Sequence, residues 1–146
     1  AEYLTGCEVI HDTCTGEGVV FIDGSIPHPT LGPIREPIRV EFRGSKIVDI
    51  SGGQEAEALK QLLADANDPE HAYFMGEIGL GMNPACSLNG RMLEDEGCAG
   101  TIHFGIGDDR SFGGNNICAQ HIDLIFKAPT IRVDGRLIMQ DGKVVD

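Results

Sequence analysis

Two histidines and one aspartate carry the strongest chemical signal in the sequence. His121-Ile122-Asp123 separates an imidazole from a carboxylate by two positions, so on a strand both side chains leave the same face. His103 sits in a second apolar run, Thr101-Ile102-His103-Phe104, with glycines on both sides. On adjacent strands the three would form a ligand set with open positions for water or substrate, which suits catalytic zinc or non-haem iron(II). The competing reading of each histidine is a hydrogen-bonded core or surface residue. The H-x-D spacing narrows that choice without closing it.

Glu77 extends the set. In Met75-Gly76-Glu77-Ile78-Gly79-Leu80-Gly81 a carboxylate stands inside a glycine-rich apolar run. Burying an unpaired carboxylate is costly, so a buried Glu77 requires a metal or an arginine as partner. The glycines would let a ligand or a second backbone approach closely. Glu17, in Thr15-Gly16-Glu17-Gly18, offers a further carboxylate and reads equally well as a solvated turn residue. His71 lies shortly before Glu77, with nothing in its spacing to recruit it. Glu94-Asp95-Glu96 reads as a solvated acidic face, and Gly105-Ile106-Gly107 and Gly113-Gly114-Asn115-Asn116 as tight loops near the site. Neither glycine run matches a phosphate-cradling pattern, and the G-x-S-x-G elbow of serine hydrolases is absent.

The elements that must position these residues are mostly strands. Val19-Val20-Phe21-Ile22 reads as a strand, followed by a loop whose prolines (Pro27, Pro29, Pro33 and Pro37) favour an extended path. Residues 38–42 and 46–50 alternate apolar and polar around Arg43-Gly44-Ser45, a hairpin with one buried face. The principal helix is predicted over about 54–66, where Leu59, Leu62, Leu63 and Ala66 share an apolar stripe. Strands are predicted over 73–80, 101–104 and 121–126, and a second hairpin over 130–133 and 137–139 turns at Asp134-Gly135. Asp141-Gly142 turns the chain once more. This order predicts an α+β fold of antiparallel strands and hairpins with one principal helix, forming a single metal-binding domain over 1–146.

Composition sets the outer bounds. The chain has 146 residues, 41% hydrophobic and 23% charged, enough to bury a core without disulfides. Acidic side chains outnumber basic ones 23 to 11, for a net charge of −12. Nucleic acid and anionic membrane surfaces would be repelled, and no apolar run is long enough to span a bilayer. The five cysteines (Cys7, Cys14, Cys86, Cys98 and Cys118) form no C-x-x-C pair. They are expected to be free thiols, small buried apolar residues of a reduced, cytoplasmic protein. The first residues carry neither a signal peptide nor a starting methionine, so a processed chain or a piece of a longer one is expected.

The motifs in order, Gly76-Glu77-Ile78-Gly79-Leu80, then Gly100-Thr101-Ile102-His103-Phe104-Gly105-Ile106-Gly107, then His121-Ile122-Asp123, resemble the C-terminal part of the aminopeptidase T family of metallopeptidases. That resemblance implies a pair of divalent metals (zinc, cobalt or manganese) held by two glutamates, two histidines and an aspartate. Glu77, His103, His121 and Asp123 match four of these, with Glu17 as the fifth and Glu77 also in the catalytic set. It implies a hydrolase in which a metal-activated water attacks a peptide-like amide. The chain is similar as well to the 2,5-dihydroxypyridine dioxygenases of the same superfamily. That branch implies one iron(II) on His103, His121 and Asp123, with Glu77 beside it, opening a hydroxylated pyridine-type ring. A non-catalytic structural module is the third expectation. The expected partners are a peptide or small-molecule substrate, and either a second copy of the chain or an N-terminal domain of the family.

Overall fold

The computed structural model describes residues 8–10, as backbone, and residues 16–145. In chain order the elements are β1 (Glu8–Ile10), β2 (Gly18–Ile22), β3 (Ser25–Ile26), β4 (Gly32–Pro33), β5 (Ile38–Arg43), β6 (Lys46–Ser51) and helix α1 (Gln54–Asp65). They continue with β7 (Met75–Leu80), the short helix α2 (Met92–Asp95), β8 (Thr101–Gly107), a 3-10 turn (Arg110–Phe112) and β9 (His121–Lys127). The chain closes with β10 (Ile131–Val133), β11 (Arg136–Gln140) and β12 (Lys143–Val144). The fold is α+β, with every paired strand antiparallel and one main helix.

Three sheets divide the strands. The largest runs β1-β7-β8-β9-β3-β4; the others are β2-β5-β6 and β10-β11-β12. Local chemistry accounts for the hairpins. Asp134-Gly135 and Asp141-Gly142 each place two successive residues at positive φ (50° and 80°, 48° and 75°), the backbone that matches the twist of a two-residue turn. In β5, Ile38, Val40 and Phe42 point inward while Arg39 and Glu41 form a surface ion pair, the period-2 alternation of a strand with one buried face. Helix α1 buries Ala56, Leu59 and Leu63, and these join the β5 and β6 side chains in the core.

The large sheet is two-faced. Ile106, Ile122 and Leu124 are buried in the core, with Ile78, Phe104 and Phe126 packed against it. Phe104 makes edge-on contacts with Phe42 and Phe126, at centroid distances of 5.8 and 4.9 Å. The alternate residues of the same strands, on the opposite face, are those the sequence marks for chemistry.

Several expectations change in detail. The strand predicted from residue 73 begins at Met75, and the helix predicted through Ala66 ends at Asp65, with Ala66 as its cap. Gly105-Ile106-Gly107 is the second half of β8 and not a loop, because its backbone pairs residue by residue with β9. The proline-rich segment contributes β3 and β4 to the large sheet. The acidic run is not a solvated face. Asp95 is fully buried and accepts from the Asn89 and Gly90 backbone N–H groups at 2.7 and 2.8 Å, which satisfies a buried carboxylate without any cation. Cys86, Cys98 and Cys118 are free, with Cys118 buried, while Cys7 and Cys14 lie outside the described residues.

Candidate metal centre

The site is written in the register of β7, β8 and β9. Gly79 pairs with His103, which pairs with Ile125; Glu77 pairs with Gly105, which pairs with Asp123; Gly107 pairs with His121. With a side-chain period of two, Glu77, His103, His121 and Asp123 all rise from one face. Glycine supplies the room between them. A Cβ at Gly79 would fall on the His103 ring, and one at Gly105 would lie 2.5 Å from Glu77 Oε2 and 2.7 Å from His121 Cε1.

Glu77 is central. Its Oε1 lies 3.2 Å from His103 Nε2 and its Oε2 lies 3.0 Å from His121 Nε2. The second contact is an ion-pair distance without hydrogen-bond geometry, and Oε2 has no hydrogen-bond partner. His121 Nε2 is also 3.1 Å from Asp123 Oδ1. One ligand atom each from Glu77, His121 and Asp123 falls within 4.8 Å of the others. His103 joins from across Glu77. Glu77, His103 and Asp123 are at most 3% exposed, whereas the His121 side chain is 25% exposed, so the cluster opens on the His121 side.

The electrostatics follow from this packing. Burial pushes the Glu77 carboxyl up, but the two imidazoles outweigh it and hold the group down at about 2. Burial pushes His121 down, while Asp123 and Glu77 raise it to about 11. His103 is raised as well: burial opposes this, and Glu77 and Asp123 prevail. Glu77 and His121 therefore face each other as an ion pair at neutral pH. The His121 Nε2 proton lies between Glu77 and Asp123, where a cation would.

A divalent metal fits these residues. Glu77 Oε2, Asp123 Oδ2 and His103 Nδ1 are buried without hydrogen-bond partners, a costly condition for carboxylate oxygens that a cation relieves. His121 Nδ1 donates to the Asp108 carbonyl at 2.6 Å. Such a bond leaves Nε2 as the ligating nitrogen, as is usual for a metal-bound histidine.

The remaining sequence candidates lie elsewhere. Glu17 is exposed and lines a separate hollow with Val19, Val20, Phe42, Met75, Ile78 and Phe104. Ile78 and Phe104 alternate with Glu77 and His103, so that hollow is on the other face of the sheet. His71 pairs with Asp68 at 2.9 Å. Sequence reasoning missed Glu96, dismissed with the acidic run. It stands beside Asp123, and burial, then the Asp123 charge, pushes its carboxyl up to about 7. Its only sequence signal is its place in the segment between β7 and β8. Phe112 was missed too; its ring centroid is 5.8 Å from that of His121.

An antiparallel sheet that projects two imidazoles and two carboxylates over a glycine defines a candidate divalent-metal domain. A family model described as 2,5-dihydroxypyridine 5,6-dioxygenase matches residues 7–146, and the chain belongs to that family. A 2,5-dihydroxypyridine 5,6-dioxygenase of Pseudomonas putida is 30% identical over 141 residues, covering 90% of this chain and 40% of the relative. A solved 2,5-dihydroxypyridine dioxygenase from Pseudomonas putida superposes with a TM-score of 0.83 at 27% identity, over 94% of this chain and 42% of that one. The chain thus spans about two fifths of the length of these relatives.

These similarities overturn the hydrolase expectation. The family, the relative and the solved structure are all dioxygenases by description. The geometry agrees in physical terms. Among the described residues one group of convergent donors is present, and Glu17, the plausible fifth ligand of an aminopeptidase-like pair of metals, lines a hollow on the other face of the sheet. No described helix is long and apolar enough to cross a membrane.

Proposed function

We propose that the 146 residues form the metal-binding domain of an iron(II)-dependent dioxygenase that opens a hydroxylated, pyridine-type aromatic ring. The observation that carries this reading is the convergence of Glu77, His121 and Asp123 on one point, with a buried oxygen of each carboxylate left without a hydrogen-bond partner, in a chain of this family. His103, His121 and Asp123 supply the two-imidazole, one-carboxylate set that suits non-haem iron(II), and Glu77 stands between the imidazoles as a fourth donor. Bound iron(II) would bring dioxygen chemistry to a ring held beside it.

The chain's own residues provide the setting. Glu77 keeps its charge and holds both imidazoles in place. Burial of His103, Glu77 and Asp123 excludes water from one side of the cluster. Burial and the Asp123 charge hold the Glu96 carboxyl up at about 7, so it takes up a proton as pH falls through neutral. Phe112, 38% exposed beside His121, offers a flat apolar surface at the open side on which a planar ring can rest.

Elemental analysis of protein purified without chelators, wild type against His121→Ala, is the first test. About one iron per chain in the wild type, lost in the variant, is the expected result. Oxygen uptake that depends on both iron(II) and a hydroxylated pyridine completes it. Absence of metal from both proteins, or iron without any such uptake, refutes the reading.

A further inference from the structure

The bond that orients His121 is itself held by a buried residue that is not a ligand. His121 Nδ1 donates to the carbonyl of Asp108 at 2.6 Å, and that carbonyl begins the long connection from β8 to β9. A carbonyl in a surface loop fixes an imidazole only as well as the loop is fixed. The next residue, Asp109, is 1% exposed. Its backbone N–H, in the same peptide unit as the Asp108 carbonyl, donates to the Asn116 carbonyl at 3.2 Å. Its side-chain Oδ1 accepts from the Asn116 backbone N–H at 2.8 Å. Asp109 and Asn116 are therefore joined in both directions across the loop.

Asn116 carries the restraint into the body of the protein. Its Nδ2 donates to the Gly107 carbonyl at 2.6 Å and to the His71 carbonyl at 2.9 Å, which ties the loop to the end of β8 and to the turn after α1. The Asp108 N–H is held in addition by the Gln120 carbonyl at 2.7 Å. Two glycines make room for the Asp109 carboxylate: a Cβ at Gly76 would lie 2.7 Å from Oδ2, and one at Gly114 would fall on the carboxyl group itself. Gly76 adjoins Glu77 in the irregular stretch of β7 between Met75 and Glu77, so the same wedge braces the strand that carries a ligand. The other oxygen, Oδ2, has no hydrogen-bond partner, and the hold on the loop runs through Oδ1.

From this arrangement we infer that Asp109, acting with Asn116, is a positioning residue that holds the Asp108 carbonyl on His121 Nδ1 and so keeps His121 Nε2 aimed at Glu77 and Asp123. The inference rests on the metal-site reading only for the consequence on metal binding; the orientation of His121 stands without it.

The test follows the imidazole N–H of His121 by NMR in the full chain labelled with 15N-histidine, first metal-free and then titrated with zinc(II). The wild type is expected to show a strongly hydrogen-bonded, slowly exchanging Nδ1–H in both states. Asp109→Ala is expected to lose that signal and to bind zinc about 10–100-fold more weakly, the usual effect of removing an outer partner of a ligand. Asp109→Asn keeps an Oδ1 acceptor for Asn116 and is expected to restore the signal. Asp95→Ala serves as the control, since it removes a buried carboxylate elsewhere and is expected to lower stability without touching the Nδ1–H. Asn116→Ala asks the same question of the partner should Asp109→Ala fail to fold. A folded variant of either residue with unchanged exchange or unchanged zinc affinity overturns the inference. Failure of both to fold overturns it too, because Asp109 would then be a stability residue alone. If the wild type binds no zinc while Asp109→Ala still loses the Nδ1–H, the metal reading fails and the orientation of His121 stands.

Discussion

Replacing Gly105 by alanine should disable the proposed metal centre while leaving every candidate ligand in the sequence. Gly105 lies between Glu77 and Asp123 in the sheet, and its backbone is not in the left-handed region, so the effect is one of space alone. The new Cβ would lie 2.5 Å from Glu77 Oε2, 2.7 Å from His121 Cε1 and 2.8 Å from Glu77 Cβ. To reach ordinary contact the carboxylate oxygen must retreat by about 0.9 Å. Glu77 has no free direction in which to go: it is 3% exposed, and the two imidazoles sit at 3.2 and 3.0 Å from its oxygens. Overpacking of this kind costs roughly 1–3 kcal/mol of stability. A ligand moved by more than about 0.5 Å falls outside the tolerance of a preorganised site, and a loss of about 10–100-fold in metal affinity is expected. Thermal unfolding of the metal-free protein and a competition titration against a chromophoric chelator measure the two effects. Gly97→Ala is the control, since its Cβ would meet only ordinary contacts at 3.6 Å and beyond, and it should resemble the wild type in both assays. Gly105→Ala with wild-type affinity and midpoint would refute the argument that the site is built over this glycine.

Other outcomes follow from the same geometry. In the metal-free protein, His121 is raised to about 11, so its stabilising contribution is complete below its unfolded value of about 6.5 and is lost as pH rises through about 11. Glu77 is lowered to about 2, so its contribution is present above its unfolded value and lost as pH falls through about 2. Denaturant titrations should therefore show greatest stability between about pH 4.5 and 6.5; a flat profile from neutral to pH 10 would contradict the ion-pair cluster. Metal must displace the His121 proton, so affinity should rise with pH over the same alkaline range. Asp95→Ala leaves the Asn89 and Gly90 N–H groups without their acceptor and should cost about 2–3 kcal/mol, where a solvated acidic residue would cost almost nothing in the same unfolding assay. Phe112→Ala should raise KM for an aromatic substrate with little change in kcat; a fall in kcat at constant KM would place Phe112 in the chemistry and not in the seating of the ring.

The legible part of this protein was local. The hairpins at 38–51 and 131–144 follow from alternation and from turn residues that tolerate positive φ, and α1 follows from a leucine stripe at helical spacing. The H-x-D spacing placed His121 and Asp123 on one face, because side-chain direction along a strand depends on parity alone. A carboxylate within a glycine-rich apolar run marked Glu77 as a residue that needs a partner.

What remained hidden was non-local. Which strands neighbour one another, and in which register, is set by burial of the whole sheet face; only this decides that Glu77 meets both imidazoles and that Gly79 and Gly105 lie beside the rings they must clear. The same packing put Glu17 on the opposite face and Asp109 under the bend of β7. Asp95 looked solvated because its partners are backbone N–H groups, which every residue but proline possesses and no residue type reveals. Glu96 reached Asp123 through the fold of the segment around it. Sequence by itself determined the strands, the turns and the kinds of ligand, because these depend on chemistry within a few residues. Tertiary structure alone decided which of the candidate donors converge, because such a cluster is a set of distances between strands, and those distances exist only once the sheet has closed around its core.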